Sequence, residues 1–89
     1  MGERTTVGGI TVIATTAEAG PASVGLVTGR SLGGAVVRNR VRRRLREALA
    51  QAGPPPGFDL VVLAGREVIE APFDRLVEWL QRAMPKEDR

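Results

Sequence analysis

The stretch GRSLGGAVVRNRVRRRLREALAQAG, residues 29–53, decides how this chain folds. It carries seven arginines ahead of its first acidic residue, Glu47, and an apolar stripe runs through the same residues. The stripe recurs at helical spacing and occupies roughly 120° of one helical face. It consists of Val37, Val41, Leu45, Ala48, Leu49 and Ala52. We therefore predict a helix over residues 35–52 that packs this stripe on a core and turns its arginines outward.

Chain breaks on both sides set the limits of the helix. Gly33-Gly34 precedes it and can bring the backbone close to a ligand, with the free N–H groups of the helix N-terminus behind it. The segment Gly53-Pro54-Pro55-Pro56-Gly57 ends it, because glycine suits the C-cap and proline cannot continue a helix. This segment is too short to separate two domains, so we expect it to connect elements of one domain.

The remaining periodic segments complete the fold. Residues 9–15 and 23–28 are rich in β-branched residues and predict two strands, which we expect to pair as an antiparallel hairpin. Residues 58–64 form a nearly continuous apolar run, typical of a strand buried on both faces. After Pro72, apolar residues from Phe73 to Met84 recur at helical spacing. The order β-β-α-β-α predicts an α+β two-layer sandwich, with both helices on one face of a small sheet.

Length and composition limit the classes of function. With 89 residues, the chain is expected to be a single domain, 1–89, with flexible ends at 1–8 and 85–89. It has no cysteine and no histidine, which excludes disulfides, the usual zinc ligand sets, and Ser-His or Cys-His nucleophile pairs. No apolar run approaches the ~20 residues that span a bilayer. The N-terminus lacks a signal-peptide pattern, so we expect a cytoplasmic protein.

The charge is distributed very unevenly along the chain. Residues 30–46 carry seven arginines and no acid, whereas the remainder carries six basic and ten acidic residues, a net of −4. Twelve of the thirteen basic residues are arginines, whose planar guanidinium matches pairs of phosphate oxygens. A local patch of this kind on a faintly acidic domain indicates a polyanionic partner.

Four explanations of the basic helix can be compared. A purely solvated face would mix signs, but Arg38/Arg42/Arg46 are like charges at i,i+4 spacing. Membrane binding would need apolar anchors on the exposed face. DNA reading favours a mixture of amides and hydroxyls, and here only Asn39 supplies an amide. The chain has three aromatic residues, too few for a base-stacking platform, so a structured RNA recognised by phosphates and shape fits best.

The basic stretch also resembles a known family. The bacterial ribonuclease P protein subunit carries the signature G-x-A-V-x-R-N-x-x-[KR]-R-x-x-R-E after a strand, and the segment 58–64 with its following helix resembles the family's C-terminal half. The resemblance covers about residues 22–84. All nine fixed positions are met, by Gly33, Ala35, Val36, Arg38, Asn39, Arg42, Arg43, Arg46 and Glu47.

The resemblance implies a function and a fold. In this family an RNA subunit matures the 5′ end of precursor tRNA with magnesium, and the protein docks on that RNA through the basic helix. It implies a left-handed β-α-β crossover, against the usual right-handed rule. It implies no catalytic side chain, no metal and no cofactor bound by the protein itself, and a monomer in a 1:1 ribonucleoprotein with no membrane partner. The implied RNA-binding residues are Arg30, Gly33, Gly34, Arg38, Asn39, Arg40, Arg42, Arg43 and Arg46.

Three departures from the family pattern are visible. Family members begin with an extra helix and strand that help to grip the 5′ leader of precursor tRNA, whereas here only Met1–Gly8 precede the first predicted strand. Ser31 stands where the family has a second basic residue, and Gly34 stands where asparagine is common. We therefore expect docking on the catalytic RNA with reduced contact to the leader. The alternative is a ribosome-associated or general structured-RNA binding module on the same fold, with no processing role.

Overall fold

The computed structural model describes residues 2–18 and 20–85, which form four strands and two helices. Short 3₁₀ turns precede each helix. The predicted order β-β-α-β-α is confirmed, and one further strand comes before it. The elements are β1 (Glu3–Val7), β2 (Ile10–Thr16), β3 (Ser23–Thr28), a 3₁₀ turn (Arg30–Leu32), α1 (Ala35–Ala52), β4 (Phe58–Ala64), a second 3₁₀ turn (Arg66–Val68) and α2 (Phe73–Ala83).

The sheet places β4 between the two strands that were expected to pair with each other. Its order is β1-β2-β4-β3; β4 runs antiparallel to β2 and parallel to β3. The predicted β2–β3 hairpin is therefore wrong, because the long apolar run of β4 takes the central position and pairs on both sides. The β2–β3 connection is tied to the start of β4: the Gly57 N–H donates to the Gly20 carbonyl, 3.0 Å, and the Ala17 N–H donates to the Gly57 carbonyl, 2.9 Å.

Residues 3–7 of the N-terminal segment that was expected to be flexible form strand β1. β1 pairs antiparallel with β2, and Val7 faces Ile10 across the turn Gly8-Gly9. Gly8 has a φ of +58°, and a β-carbon there would overlap the indole ring of Trp79. Glycine at this turn thus lets β1 lie close to α2. At the other end, Pro85 follows α2, and residues 86–89 of the expected flexible end lie outside the described residues.

The described residues cover only one face of the sheet. Alternate residues of β2 and β4 are buried beneath the helices, whereas Asp59 and Val61 on the opposite face of β4 are exposed. The expectation that β4 is buried on both faces is wrong, because both helices pack on the same side and leave the other face open. The fully buried large side chains are Ile10, Val12, Val41, Leu45, Leu60, Val62, Val68, Leu76 and Leu80.

Helix α1 has the predicted bounds and the predicted orientation. Val41, Leu45, Ala48 and Leu49 of the apolar stripe are buried. Gly53 ends the helix in the left-handed conformation, with φ +73°, and its N–H donates to the Leu49 carbonyl, 3.0 Å. α1 contacts β3 and packs against α2, which in turn lies over β1 and β2. One flank of α1 therefore faces the edge strand of the sheet.

Candidate nucleic-acid interface

The outward face of α1 is built from arginines because the apolar stripe determines which way the helix faces. Arg40, Arg43, Arg46 and Asn39 are exposed, and Arg38 and Arg42 are half-buried along the flank next to β3. The preceding segment adds Arg30, which is exposed in the first 3₁₀ turn. We call this set the basic surface: Arg30, Gly33, Gly34, Arg38, Asn39, Arg40, Arg42, Arg43 and Arg46. These are the residues that the sequence suggested for RNA binding, and their role in binding stays a prediction.

The connection into α1 brings backbone to the basic surface. Leu32 is buried and anchors the 3₁₀ turn, whose end is closed by the Gly33 N–H donating to the Arg30 carbonyl, 3.0 Å. Gly33 has a φ of +124°, a conformation open to glycine and strained for other residues. Gly34 is the N-cap of α1, and no side chain caps that end. The first N–H groups of α1 are thus without a side-chain acceptor, as an anion-binding helix terminus requires.

Arg42 is held in place by its neighbours. One terminal nitrogen of its guanidinium donates to Thr28 Oγ1, 2.7 Å, at the end of β3, and the other donates to Asn39 Oδ1, 3.2 Å. Thr28 is a buried polar residue, so the first of these bonds lies in a partly buried setting. Because Arg42 is oriented before any ligand arrives, less side-chain entropy is lost when it binds.

Arg44 has a different role from its neighbours. It is half-buried, and one terminal nitrogen donates to the carbonyls of Val68 and Ile69, at 3.2 and 3.3 Å. The other terminal nitrogen donates to the Ala71 carbonyl. These carbonyls belong to the connection between β4 and α2. Arg44 therefore ties α1 to that connection, and it is a structural residue that the sequence pattern alone placed among outward arginines.

Among the described residues, no acidic side chain forms an ion pair with an arginine of the basic surface. The two ion pairs found among the described residues both lie on α2, where Glu78 contacts Arg75 and Arg82 at 3.7 and 3.8 Å. In addition, Arg38 Nε is buried and has no hydrogen-bond partner in the part of the chain that the structure describes. Like charges at i,i+4 spacing are unfavourable for a helix alone. The arrangement is suited to a polyanion whose phosphates neutralise the arginines and supply acceptors.

Other kinds of site find little support in the described residues. Across 2–18 and 20–85, no three acidic side chains come together in a cluster that could hold a metal ion. No helix there is long and apolar enough to cross a membrane. The basic surface is therefore the feature of the described residues that we take as the candidate functional site.

Comparison with known proteins places the chain in a family. A family model described as Ribonuclease P matches residues 1–87. The ribonuclease P protein component of Paramagnetospirillum magneticum is 41% identical in an alignment 66 residues long that covers 71% of this chain and 50% of that protein. That of Symbiobacterium thermophilum is 47% identical over 58 residues, 63% of this chain and 50% of that protein. The chain thus spans about half the length of these relatives.

Solved structures agree with the sequence comparison at the level of the fold. The RNase P protein from Thermotoga maritima superposes with a TM-score of 0.83 at 24% identity, covering 93% of this chain and 81% of that chain. The RNase P protein of Staphylococcus aureus superposes with a TM-score of 0.77 at 20% identity, covering 92% and 77%. With a family match that extends over residues 1–87, this chain belongs to the Ribonuclease P family.

Proposed function

We propose that this chain is the protein subunit of ribonuclease P and that it binds the catalytic RNA through the basic surface. The observation that carries the proposal is the arginine face of α1, which the buried stripe turns toward solvent and which has no acidic partner in residues 2–18 and 20–85. Arginine donates paired hydrogen bonds to phosphate oxygens, and binding releases the counterions condensed on the RNA. The protein would dock on the RNA and thereby assist the 5′ maturation of precursor tRNA.

In this proposal the RNA performs the chemistry. Magnesium-dependent hydrolysis of a phosphodiester needs ligands for the metal, and the described residues bring together no acidic cluster that could supply them. The RNA would hold the metal through its phosphates, and the protein would lower the electrostatic repulsion between catalytic RNA and substrate. No side chain of the protein is assigned a catalytic step. We place the complex in the cytoplasm as a 1:1 ribonucleoprotein.

Precursor tRNA is the proposed substrate of the assembled complex, with limited leader contact from this chain. The face of the sheet that the helices leave open carries Val27 and Val61, both exposed. The three aromatic residues of the chain, Phe58, Phe73 and Trp79, are all partly buried against the core. The chain therefore offers few aromatic rings on which unpaired leader bases could stack, an interaction that contributes about 1–3 kcal/mol per base in other proteins.

The test is the salt dependence of affinity for a bacterial ribonuclease P RNA. If about four arginines of the basic surface meet phosphates, log K against log[salt] has a slope of roughly −3. Arg43→Ala, on the exposed centre of that surface, is expected to weaken binding about tenfold and to reduce the slope by about 1. Arg75→Ala removes one positive charge from α2, away from the basic surface, and is expected to leave the affinity and the slope unchanged. A flat salt response, or equal effects of the two variants, would contradict the proposal.

A further inference from the structure

A groove lies beside α1, where the helix flank meets the edge strand of the sheet. β3 is an edge strand of the sheet, and its residues Val24 and Leu26 are half-buried beneath α1. The groove has a volume of about 360 Å³, within the range of roughly 300–1,000 Å³ typical of small-molecule sites. It is lined by Val24, Leu26, Arg42, Arg46, Leu49, Ala50 and Pro54.

The lining combines an apolar floor with two cations. Aliphatic side chains of β3 and of Leu49 on α1 line the groove together with Arg42 and Arg46. Neither arginine has an acidic partner among the described residues, and no carboxylate lines the groove. Arg42 is already oriented by Thr28 and Asn39. A ligand that fits this chemistry has a flat apolar part and, next to it, a negative charge.

We propose that the groove holds one unstacked nucleotide of the bound RNA. Its base would pack on Val24, Leu26 and Leu49, and its phosphate would lie between Arg42 and Arg46. Extruded bases pack against apolar as well as aromatic side chains, so the absence of an aromatic residue from the lining does not exclude a base. The basic surface adjoins the groove through the same two arginines, which places a phosphate backbone at its mouth. The identity of the ligand as part of an RNA rests on the proposed function. The groove itself, in which apolar side chains lie next to two arginines, is observed independently of that function.

The first test fills the groove without touching an arginine or the core. Ala50 is exposed at the rim, so Ala50→Trp places a ring in the groove, and Ala50→Leu fills it in part. Gln51→Trp is the matched control, since Gln51 is exposed on α1 and does not line the groove. Affinity for ribonuclease P RNA is expected to fall about tenfold for Ala50→Trp, less for Ala50→Leu, and to stay within about twofold for Gln51→Trp. Unfolding midpoints of all three variants check that the fold is intact.

The same series separates failure of this inference from failure of the proposed function. If Ala50→Trp binds the RNA as well as Gln51→Trp does while Arg43→Ala binds weakly, the groove is empty in the complex and the basic surface still docks the RNA. If neither Ala50→Trp nor Arg43→Ala loses affinity, the proposed function fails as well.

A second test needs no RNA subunit. Adenosine and uridine 5′-monophosphates are titrated into the isotope-labelled protein, and the methyl resonances of Val24, Leu26 and Leu49 are followed by NMR. A mononucleotide is expected to shift all three sets of methyls, while inorganic phosphate shifts only the arginine side-chain resonances. Ala50→Trp is expected to abolish the methyl shifts. Unmoved methyls at millimolar nucleotide, or equal shifts with inorganic phosphate, would overturn the proposal.

Discussion

Truncation of Leu45 tests whether α1 is oriented as described. Leu45 is fully buried, 0% exposed, in the middle of the apolar stripe. Leu45→Ala removes three buried carbons, which at about 0.8 kcal/mol each amounts to about 2.4 kcal/mol before the cavity is counted. With the cavity, the loss falls within about 2–5 kcal/mol. For 89 residues the whole free energy of unfolding is about 4–13 kcal/mol, so this one change removes a large share.

The assay is urea unfolding followed by far-UV circular dichroism and by the fluorescence of Trp79. With an m-value near the lower end of the small-domain range, about 1 kcal/mol per molar, the midpoint of Leu45→Ala is expected to fall by about 2 M or more. Arg43→Ala, on the exposed side of the same helix, is expected to change stability by no more than about 0.5 kcal/mol. If Arg43→Ala destabilises the protein as much as Leu45→Ala does, the orientation of α1 is wrong.

Two further substitutions test contacts that the structure adds. Arg44→Met removes the donors to three carbonyls and is expected to lower the free energy of unfolding by about 1–3 kcal/mol. The control, Arg40→Met on the exposed face, is expected to change it by less than about 0.5 kcal/mol. Equal losses for the two variants in urea unfolding would show that Arg44 does not hold α1 to the β4–α2 connection. Gly8→Ala forces a side chain into the Trp79 ring at positive φ and is expected to cost about 1–3 kcal/mol and to alter Trp79 fluorescence. The control is Gly25→Ala, where a β-carbon meets nothing within 4 Å, and an unchanged emission spectrum for Gly8→Ala would show that β1 does not pack on α2 as described.

Local patterns were sufficient to predict the helices and the main surface. α1 was predictable to the residue because a stripe of apolar residues at helical spacing lies between Gly33-Gly34 and Gly53. The same stripe predicts that Arg40, Arg43 and Arg46 point outward, and all three are exposed. β1 was missed because four of its five residues are polar or charged. The Gly8-Gly9 pair was the available signal, since Gly-Gly between two short strands is typical of a hairpin.

What the sequence did not indicate depends on contacts between distant parts of the chain. The pairing of β2 and β3 with β4 is such a case, because hydrophobic alternation shows that strands exist and does not show their order. Arg44 is another: it donates to carbonyls 24 to 27 residues further along the chain, so its spacing on α1 gives no hint of the contact. The groove likewise requires the flank of α1 to meet an edge strand. The orientation of Arg42 by Thr28 arises from the same packing.

The most direct measurement is reconstitution of activity. The assay adds this protein to a bacterial ribonuclease P RNA and precursor tRNA at low magnesium, where a subunit that screens the repulsion between phosphates is expected to raise the rate of cleavage. We predict that this protein stimulates cleavage at low magnesium and that Arg43→Ala requires a higher protein concentration for the same rate, while Arg75→Ala behaves as the unaltered protein does. Intact RNA binding without any stimulation of cleavage would contradict the proposed function and identify a general structured-RNA binding module.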